Sequence, residues 1–336
     1  MRVLVTGGAG YIGSVVADRL LRSGRSVVVL DNLCMGWRAA VPPDAEFVQA
    51  DAGDPVALQA LFEKTHFDAV MHFAGLIEAA ESVKSPEAYF ENNSAGTLSL
   101  LQTMLRYGVQ RFVFSSTAAV YGEPQQLPIP EDHPLSPTNA YGESKLIVER
   151  MLTWLHHAHG LRYASLRYFN AAGATGDRGE AHRSESHLIP LILRVPLGLR
   201  DAISIYGTDY PTKDGTCVRD FIHLDDLATA HLLALDGLER HPQLVCNLGS
   251  GHGFSVREII NIARKVTGRD IPVVECARRP GDPAVLIASS DKIRKVLGWN
   301  PQYSDIESIV RSAWEWHKSH VRGYETAEAP TAKSRG

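Results

Sequence analysis

Three closely spaced glycines, Gly7, Gly10 and Gly13, lie between a short β-branched run and a helical stretch. Val3-Leu4-Val5-Thr6 reads as a buried strand, and Ser14 to Ser23 as a helix. A strand that turns on glycines straight into a helix opens a doubly wound parallel sheet. Gly7 permits the tight turn, Gly10 lets the backbone approach a pyrophosphate, and Gly13 lets the helix pack close to the strand. The helix N-terminus offers free N–H groups and a partial positive charge to phosphate. The spacing is Gly-x-x-Gly-x-x-Gly, and a glycine triplet alone is often no more than a turn. Here the second strand, Ser26 to Leu30, ends in Asp31. An acid about 20 residues after the glycines suits the ribose hydroxyls of adenosine and repels a 2′-phosphate. No arginine follows it directly, so NAD is expected over NADP.

Strands and helices go on alternating. Glu46 to Gln49 reads as a third strand, Pro55 to Lys64 as a helix and Asp68 to His72 as a fourth strand. Phe73-Ala74-Gly75 then sits at a carboxyl end, where open parallel sheets bind ligands. A helix is predicted from about Pro86 to Tyr107, a strand over Arg111 to Ser115, and another over Leu161 to Arg167. Asp51 follows the third strand, either as an acceptor for the adenine amino group or as an ordinary loop acid. These elements argue an α/β Rossmann domain over residues 1–170. Ala171 to Glu185 is Gly-rich and charged and reads as a long loop, a kind of segment that is often functional. Residues 171–324 read mainly as a smaller C-terminal α/β lobe, with possible return segments to the sheet. Residues 325–336 are small and polar and are expected to form a disordered tail.

Tyr141 and Lys145 stand four apart at the start of a predicted helix reaching about His159, and so share a face. A free tyrosine has a pKa near ~10, and an ammonium beside it favours the phenolate. Such a pair suits removal of an alcohol proton while a hydride leaves the same carbon. A Tyr and a Lys four apart also occur by chance on many helices, so the pair counts only beside the cofactor signals. Thr117, at the end of the fifth strand, is either a strand-end cap or a hydrogen-bond partner for substrate.

Net charge is -4, which gives no sign of nucleic acid or an anionic membrane surface. No apolar run reaches the ~18 residues of a membrane span, and no leader is expected. The four cysteines, Cys34, Cys217, Cys246 and Cys276, form no CxxC pair and read as reduced thiols of a cytoplasmic protein. The histidines show no ligand spacing, so no metal is expected.

Val5 to Gly13, Leu30-Asp31-Asn32-Leu33, His72-Phe73-Ala74-Gly75, Phe114 to Gly122, and Tyr141 with Lys145 together resemble the extended short-chain dehydrogenase/reductase family. Within it, Arg167 to Gly173, Gly207 to Thr212 and Gly215 to His223 are similar to the UDP-galactose (UDP-glucose) 4-epimerases. The resemblance runs from Val3 to about Trp316. It implies Tyr141 as the base, Lys145 as the group that lowers its pKa and holds the nicotinamide ribose, and Thr117 as an assisting hydroxyl. It implies dinucleotide contacts from Gly7, Gly10, Tyr11, Ile12, Gly13, Asp31, Asn32, Leu33, Asp51, Ala52, Phe73, Ala74, Gly75, Asn92 and Phe169. It implies UDP-sugar contacts from Asn170, His187, Leu188, Ser204, Tyr206, Arg219, Arg279 and Asp282, with Tyr206 near uracil. The two arginines fall where the diphosphate would be clamped, although a surface salt bridge is the commoner fate of an arginine. It also implies a homodimer through the Pro86–Tyr107 and Tyr141–His159 helices.

Three departures stand out. Ile77 replaces a frequent cofactor-contacting Lys, His187 a frequent Asn, and Leu286 a Tyr found beside the sugar C2 substituent in some members. Sugar scope is therefore open, and a 4-epimerase of another UDP-sugar (UDP-GlcNAc/GalNAc or a UDP-pentose) is the alternative. A nucleotide-sugar reductase would consume free cofactor. A 4,6-dehydratase needs an acid pair after the Thr, where this chain has Ala118 and Ala119. A redox-sensing binding protein would not need Tyr141, Lys145 and Thr117 together.

Overall fold

The structure is a computed structural model that describes residues 1–279, 281–303 and 305–325. The expected tail therefore lies, beyond Glu325, outside the described residues. Seven parallel strands form the main sheet, in the order Gln243–Leu248, Arg162–Tyr168, Arg111–Thr117, Ala69–His72, Arg2–Thr6, Ser26–Asp31, Glu46–Gln49. The chain order reverses between Ala69–His72 and Arg2–Thr6, which makes their carboxyl ends the switch point of the sheet. Thr6 is in register with both Leu30 and His72. Gly7 N donates to Leu30 O at 2.9 Å and Phe73 N to Thr6 O at 2.9 Å, so the two candidate ligand turns leave the sheet side by side.

Both faces are covered, as a parallel sheet requires. Helix Tyr11–Arg22 packs with helix Leu224–Gly237 on one face, sharing Val16, Leu20, Leu227 and Ala234. On the other face Leu58, Leu101, Val148 and Leu152 come from helices Pro55–Lys64, Gly96–Arg106 and Ala140–His159. Helix Leu224–Gly237 and strand Gln243–Leu248 return from the second half of the chain to this sheet. The strand completes an edge by pairing with Arg162–Tyr168.

The smaller lobe is built on strands Asn170–Ala172, Val218–His223, Gly253–Ser255 and Val285–Leu286, with Ile203–Tyr206 and Val273–Cys276 paired beside them. Helices Leu188–Arg194, Val256–Thr267 and Ile306–Ser319 enclose its own core, including Ile192, Ile260 and Trp314. Helix Val256–Thr267 starts on a reciprocal Ser255–Glu258 capping box and stops at Gly268, φ 65°.

The predicted helix from Pro86 to Tyr107 is interrupted. α-Helix Pro86–Tyr89 passes into a wider π-helical segment, Phe90–Ala95, before Gly96–Arg106 resumes the α-helix. Such insertions recur at functional sites. Here Asn93 turns into the protein and Asn92 lies exposed on the same segment.

Candidate active site

A long cleft runs along the switch point and under the smaller lobe. The glycine turn forms one wall. Gly7 has φ +71°, and a Cβ there would lie 2.5 Å from Ala74 N. A Cβ on Gly13 would lie 2.3 Å from Gly7 O. Neither position has room for a side chain, whereas a Cβ on Gly10 would meet only Gly7 O, at 3.2 Å. Asp31 accepts from Ala9 N at 3.0 Å and Leu33 N at 2.8 Å, so it braces this turn as well as facing the cleft. Burial pushes its carboxyl up, against these two hydrogen bonds. Asp51 accepts from Asn32 Nδ2 at 2.9 Å and Gly53 N at 2.7 Å.

The opposite wall carries the tyrosine helix. Asn139 caps it by accepting from Gly142 N at 2.9 Å. Gly142 passes so close to Ala119, in the turn just after the strand, that a Cβ would sit 2.6 Å from Ala119 O. The helix is thus held against the end of Arg111–Thr117, and Thr117, Tyr141 and Lys145 all line the cleft. Lys145 is buried, donates to Ser115 O at 3.1 Å and stands 5.0 Å from the Phe114 ring centroid. Asn93 fixes the neighbouring turn, accepting from Leu76 N at 2.8 Å and donating to Leu76 O and Ser144 Oγ, each at 3.0 Å.

The family profile of NAD-dependent epimerases/dehydratases matches residues 3–263. The chain belongs to this family. It is 51% identical to the UDP-glucose 4-epimerase of Lacticaseibacillus casei over 96% of this chain and 99% of that protein. It is 53% identical to the UDP-glucose 4-epimerase of Streptomyces lividans, over 96% and 98%. The crystal structure of UDP-glucose 4-epimerase from Bifidobacterium longum in complex with NAD+ and UDP superimposes with a TM-score of 0.92. It is 37% identical, over 96% of this chain and 100% of that one.

As an NAD-dependent epimerase/dehydratase, the chain has a turn that fits a dinucleotide: glycines where a Cβ would strike backbone, a helix N-terminus, and Asp31 in the adjoining wall. Of the residues expected to touch the cofactor, all but Leu33 line the cleft. Leu33 is bent to φ 62°, a strained position for a leucine, while its N–H serves Asp31. Of those expected at the sugar nucleotide, Thr117, Tyr141, Asn170 and His187 line it.

Leu188, Ser204, Tyr206, Arg219, Arg279 and Asp282 do not line that cleft and belong to the smaller lobe. The Arg279 guanidinium lies 3.8 Å from the Tyr206 ring centroid, and Arg219 lies 3.6 Å from Asp282. Leu286 packs against the Ala118, Val120 and Tyr121 cluster and is also absent from the cleft lining.

In the protein alone the Tyr141 pKa lies above its ordinary value. Burial raises it; the Thr117 hydroxyl lowers it, and Glu78 raises it again. The ammonium is turned to Ser115 O, and burial brings its own pKa down to about 8.

Two sets were not expected from the sequence as groupings, although His187 itself was expected at the sugar nucleotide. Ligand atoms of Glu180, His182 and His187 all lie within 4.8 Å of one another, although no spacing motif marks them. His187 Nδ1 is 2.9 Å from Glu180 and 3.1 Å from Glu185. Burial opposes charge on the ring, but the two carboxylates outweigh it and hold His187 protonated well above its ordinary pKa. These are hydrogen-bond distances, and the cluster reads as an ion-paired wall of the cleft. Tyr11 joins the same wall by donating to Gly173 O at 2.6 Å. The second set is Glu78, beside Ile77. No residue pattern pointed to either set, because each depends on distant segments meeting.

Proposed function

We propose that this protein interconverts UDP-galactose and UDP-glucose by transient oxidation at sugar C4, with NAD kept in place through the cycle. The observation that carries this reading is the convergence of Tyr141, Lys145 and Thr117 with the glycine turn and Asp31 on one cleft. The high identity to UDP-glucose 4-epimerases over nearly the whole chain supports it.

Tyr141 takes the C4 hydroxyl proton, and Thr117 shares a hydrogen bond with the phenol. Lys145 supplies a fixed positive charge behind Tyr141 and reaches the nicotinamide ribose. NAD⁺ held in this cleft would supply the hydride acceptor for C4 and a second positive charge. Asp31 accepts from the adenosine ribose. In the smaller lobe Tyr206 receives the uracil and Arg219 and Arg279 the diphosphate, so residues 171–324 act mainly as the substrate lobe and 1–170 as the cofactor domain. The 4-keto sugar would turn about its diphosphate linkage and present the other face of C4 for return of the same hydride, while Tyr141 gives the proton back to the C4 oxygen. Ala118 and Ala119 carry no proton-transfer group, so nothing beside Thr117 drives loss of water.

The test is direct. UDP-galactose incubated with purified protein and no added cofactor should yield UDP-glucose, with NAD released on denaturation. Apoprotein reloaded with NADP should stay inactive, because Asp31 faces the 2′ position. A requirement for stoichiometric NADH or NADPH would overturn the epimerase reading.

The protein is also proposed to be a homodimer. Helix Ala140–His159 leaves Trp154 73% exposed beside Leu98, Ile147, Met151 and Leu155, which line a shallow apolar groove. Light scattering should give twice the 36.8 kDa chain mass, and a monomer mass at all concentrations would refute it. The four free cysteines suit a reducing, cytoplasmic compartment, and no described helix is long and apolar enough to cross a membrane.

A further inference from the structure

Glu78 follows the departure at Ile77 and lines the cleft with Tyr141 and Tyr89. Its Oε1 is buried and has no hydrogen-bond partner among the described residues. Its backbone carbonyl is already used, accepting from Tyr89 OH at 2.6 Å, so that bond does not depend on the side chain. A carboxylate oxygen buried without a donor is costly unless a ligand supplies one. An ionised carboxylate only accepts hydrogen bonds. It would repel a diphosphate and suits the neutral, hydroxyl-rich end of a sugar nucleotide. That end belongs beside Tyr141, because the proton to be removed sits on a sugar hydroxyl. The basic residues expected at the diphosphate, Arg219 and Arg279, lie apart in the smaller lobe.

We propose that Glu78 is a specificity-determining residue of this site, its carboxylate accepting a hydrogen bond from a ring hydroxyl of the sugar held against Tyr141. This rests on the epimerase reading above. A site built around a polar contact discriminates strongly against an analogue lacking it, because the buried group is then left unpaired. Glu78 has a second effect. Its charge faces Tyr141 and disfavours the phenolate. The other titratable groups facing that phenol are Tyr89, edge-on at 6.5 Å, and Tyr168, with Lys145 behind it. Sugar binding that occupies the Glu78 carboxylate thus engages the same group that tunes the base.

The experiment compares wild type with Glu78→Gln and Glu78→Ala. Wild-type conversion of UDP-galactose is measured first, and its absence would sink the epimerase reading itself. In active enzyme, both variants should retain a full equivalent of NAD, which also reports folding. KM for UDP-galactose should rise about 10- to 100-fold in Glu78→Ala, the weight of a hydrogen bond to a charged group. The acid limb of the kcat profile should move to lower pH in both variants. The sign follows because removing a negative neighbour lowers the phenol pKa, and the phenolate is the active form above that pKa. A panel of UDP-2-deoxy-, UDP-3-deoxy- and UDP-6-deoxygalactose completes the test. The penalty of Glu78→Ala should vanish for one of them, the sugar that lacks the donor. An equal penalty on all four sugars would overturn the sugar contact. So would loss of NAD from active-site-competent Glu78→Gln, which would move the contact to the nicotinamide ribose. An unmoved acid limb would overturn the coupling to Tyr141.

Discussion

Tyr141→Phe should keep its bound NAD and its affinity for UDP-galactose while turnover falls about 10²- to 10⁴-fold, the usual contribution of a general base. The substitution removes one oxygen and leaves the ring. The edge-on packing on Tyr89 at 6.5 Å survives, and Thr117 keeps its bond from Ala119 N at 3.1 Å. The helix cap at Asn139 does not involve the phenol either. A loss confined to kcat therefore reports chemistry and not folding. The size of the loss also tests how the phenol is activated. Burial and Glu78 hold its pKa up in the protein alone, so proton removal depends on positive charge brought close when the site is filled. Product formation from UDP-galactose at saturating substrate measures the effect. Turnover within a few-fold of wild type would remove Tyr141 from the proton transfer.

The main sheet was legible because its signals are local. Val3 to Val5 is apolar on both faces, the glycines punctuate it, and helix periodicity resumes within a few residues. Tyr141 and Lys145 were legible for the same reason, since four residues of helix suffice to place them together. Asn93 was not. It depends on the π-helical turn at Phe90–Ala95, and nothing in an apolar pattern separates that turn from an α-helix. Strand Gln243–Leu248 was not placed beyond the expectation of possible return segments, because its return to the sheet is decided by pairing with Arg162–Tyr168, eighty residues earlier. Glu180 and Glu185 lie in a stretch with no apolar period, and their grouping with His187 arises only when the loop folds over Tyr11. Helical spacing shows that an ammonium is near, but not that its donor points to Ser115 O or that burial prevails.

Arg167→Met should cost about 3–5 kcal/mol of stability, because it leaves a buried carboxylate without its partner. Arg167 sits on strand Arg162–Tyr168 and Glu149 on the tyrosine helix, with 4% and 6% of their surfaces exposed. Arg167 donates from Nε to Glu149 Oε1 at 3.0 Å and from Nη2 to Oε2 at 2.5 Å, and Ser116 Oγ donates to the same carboxylate at 2.5 Å. Nη1 extends the network to Tyr121 OH at 2.9 Å, and Tyr121 OH donates to Asn247 Oδ1 at 2.7 Å. Strand, helix and returning strand Gln243–Leu248 are thereby joined behind the catalytic wall. A methionine fills much of the arginine's volume but supplies no donor, so both Glu149 and Tyr121 lose a partner. The double replacement Glu149→Leu with Arg167→Met removes the stranded charge and should recover most of the loss, since a buried ion pair exchanged for apolar side chains is often close to neutral. Urea midpoints measured at one fixed NAD concentration separate this from a change in cofactor binding, which would itself shift apparent stability. A single-variant cost below about 1 kcal/mol, or additive costs in the double variant, would show that the pair does not act as a unit.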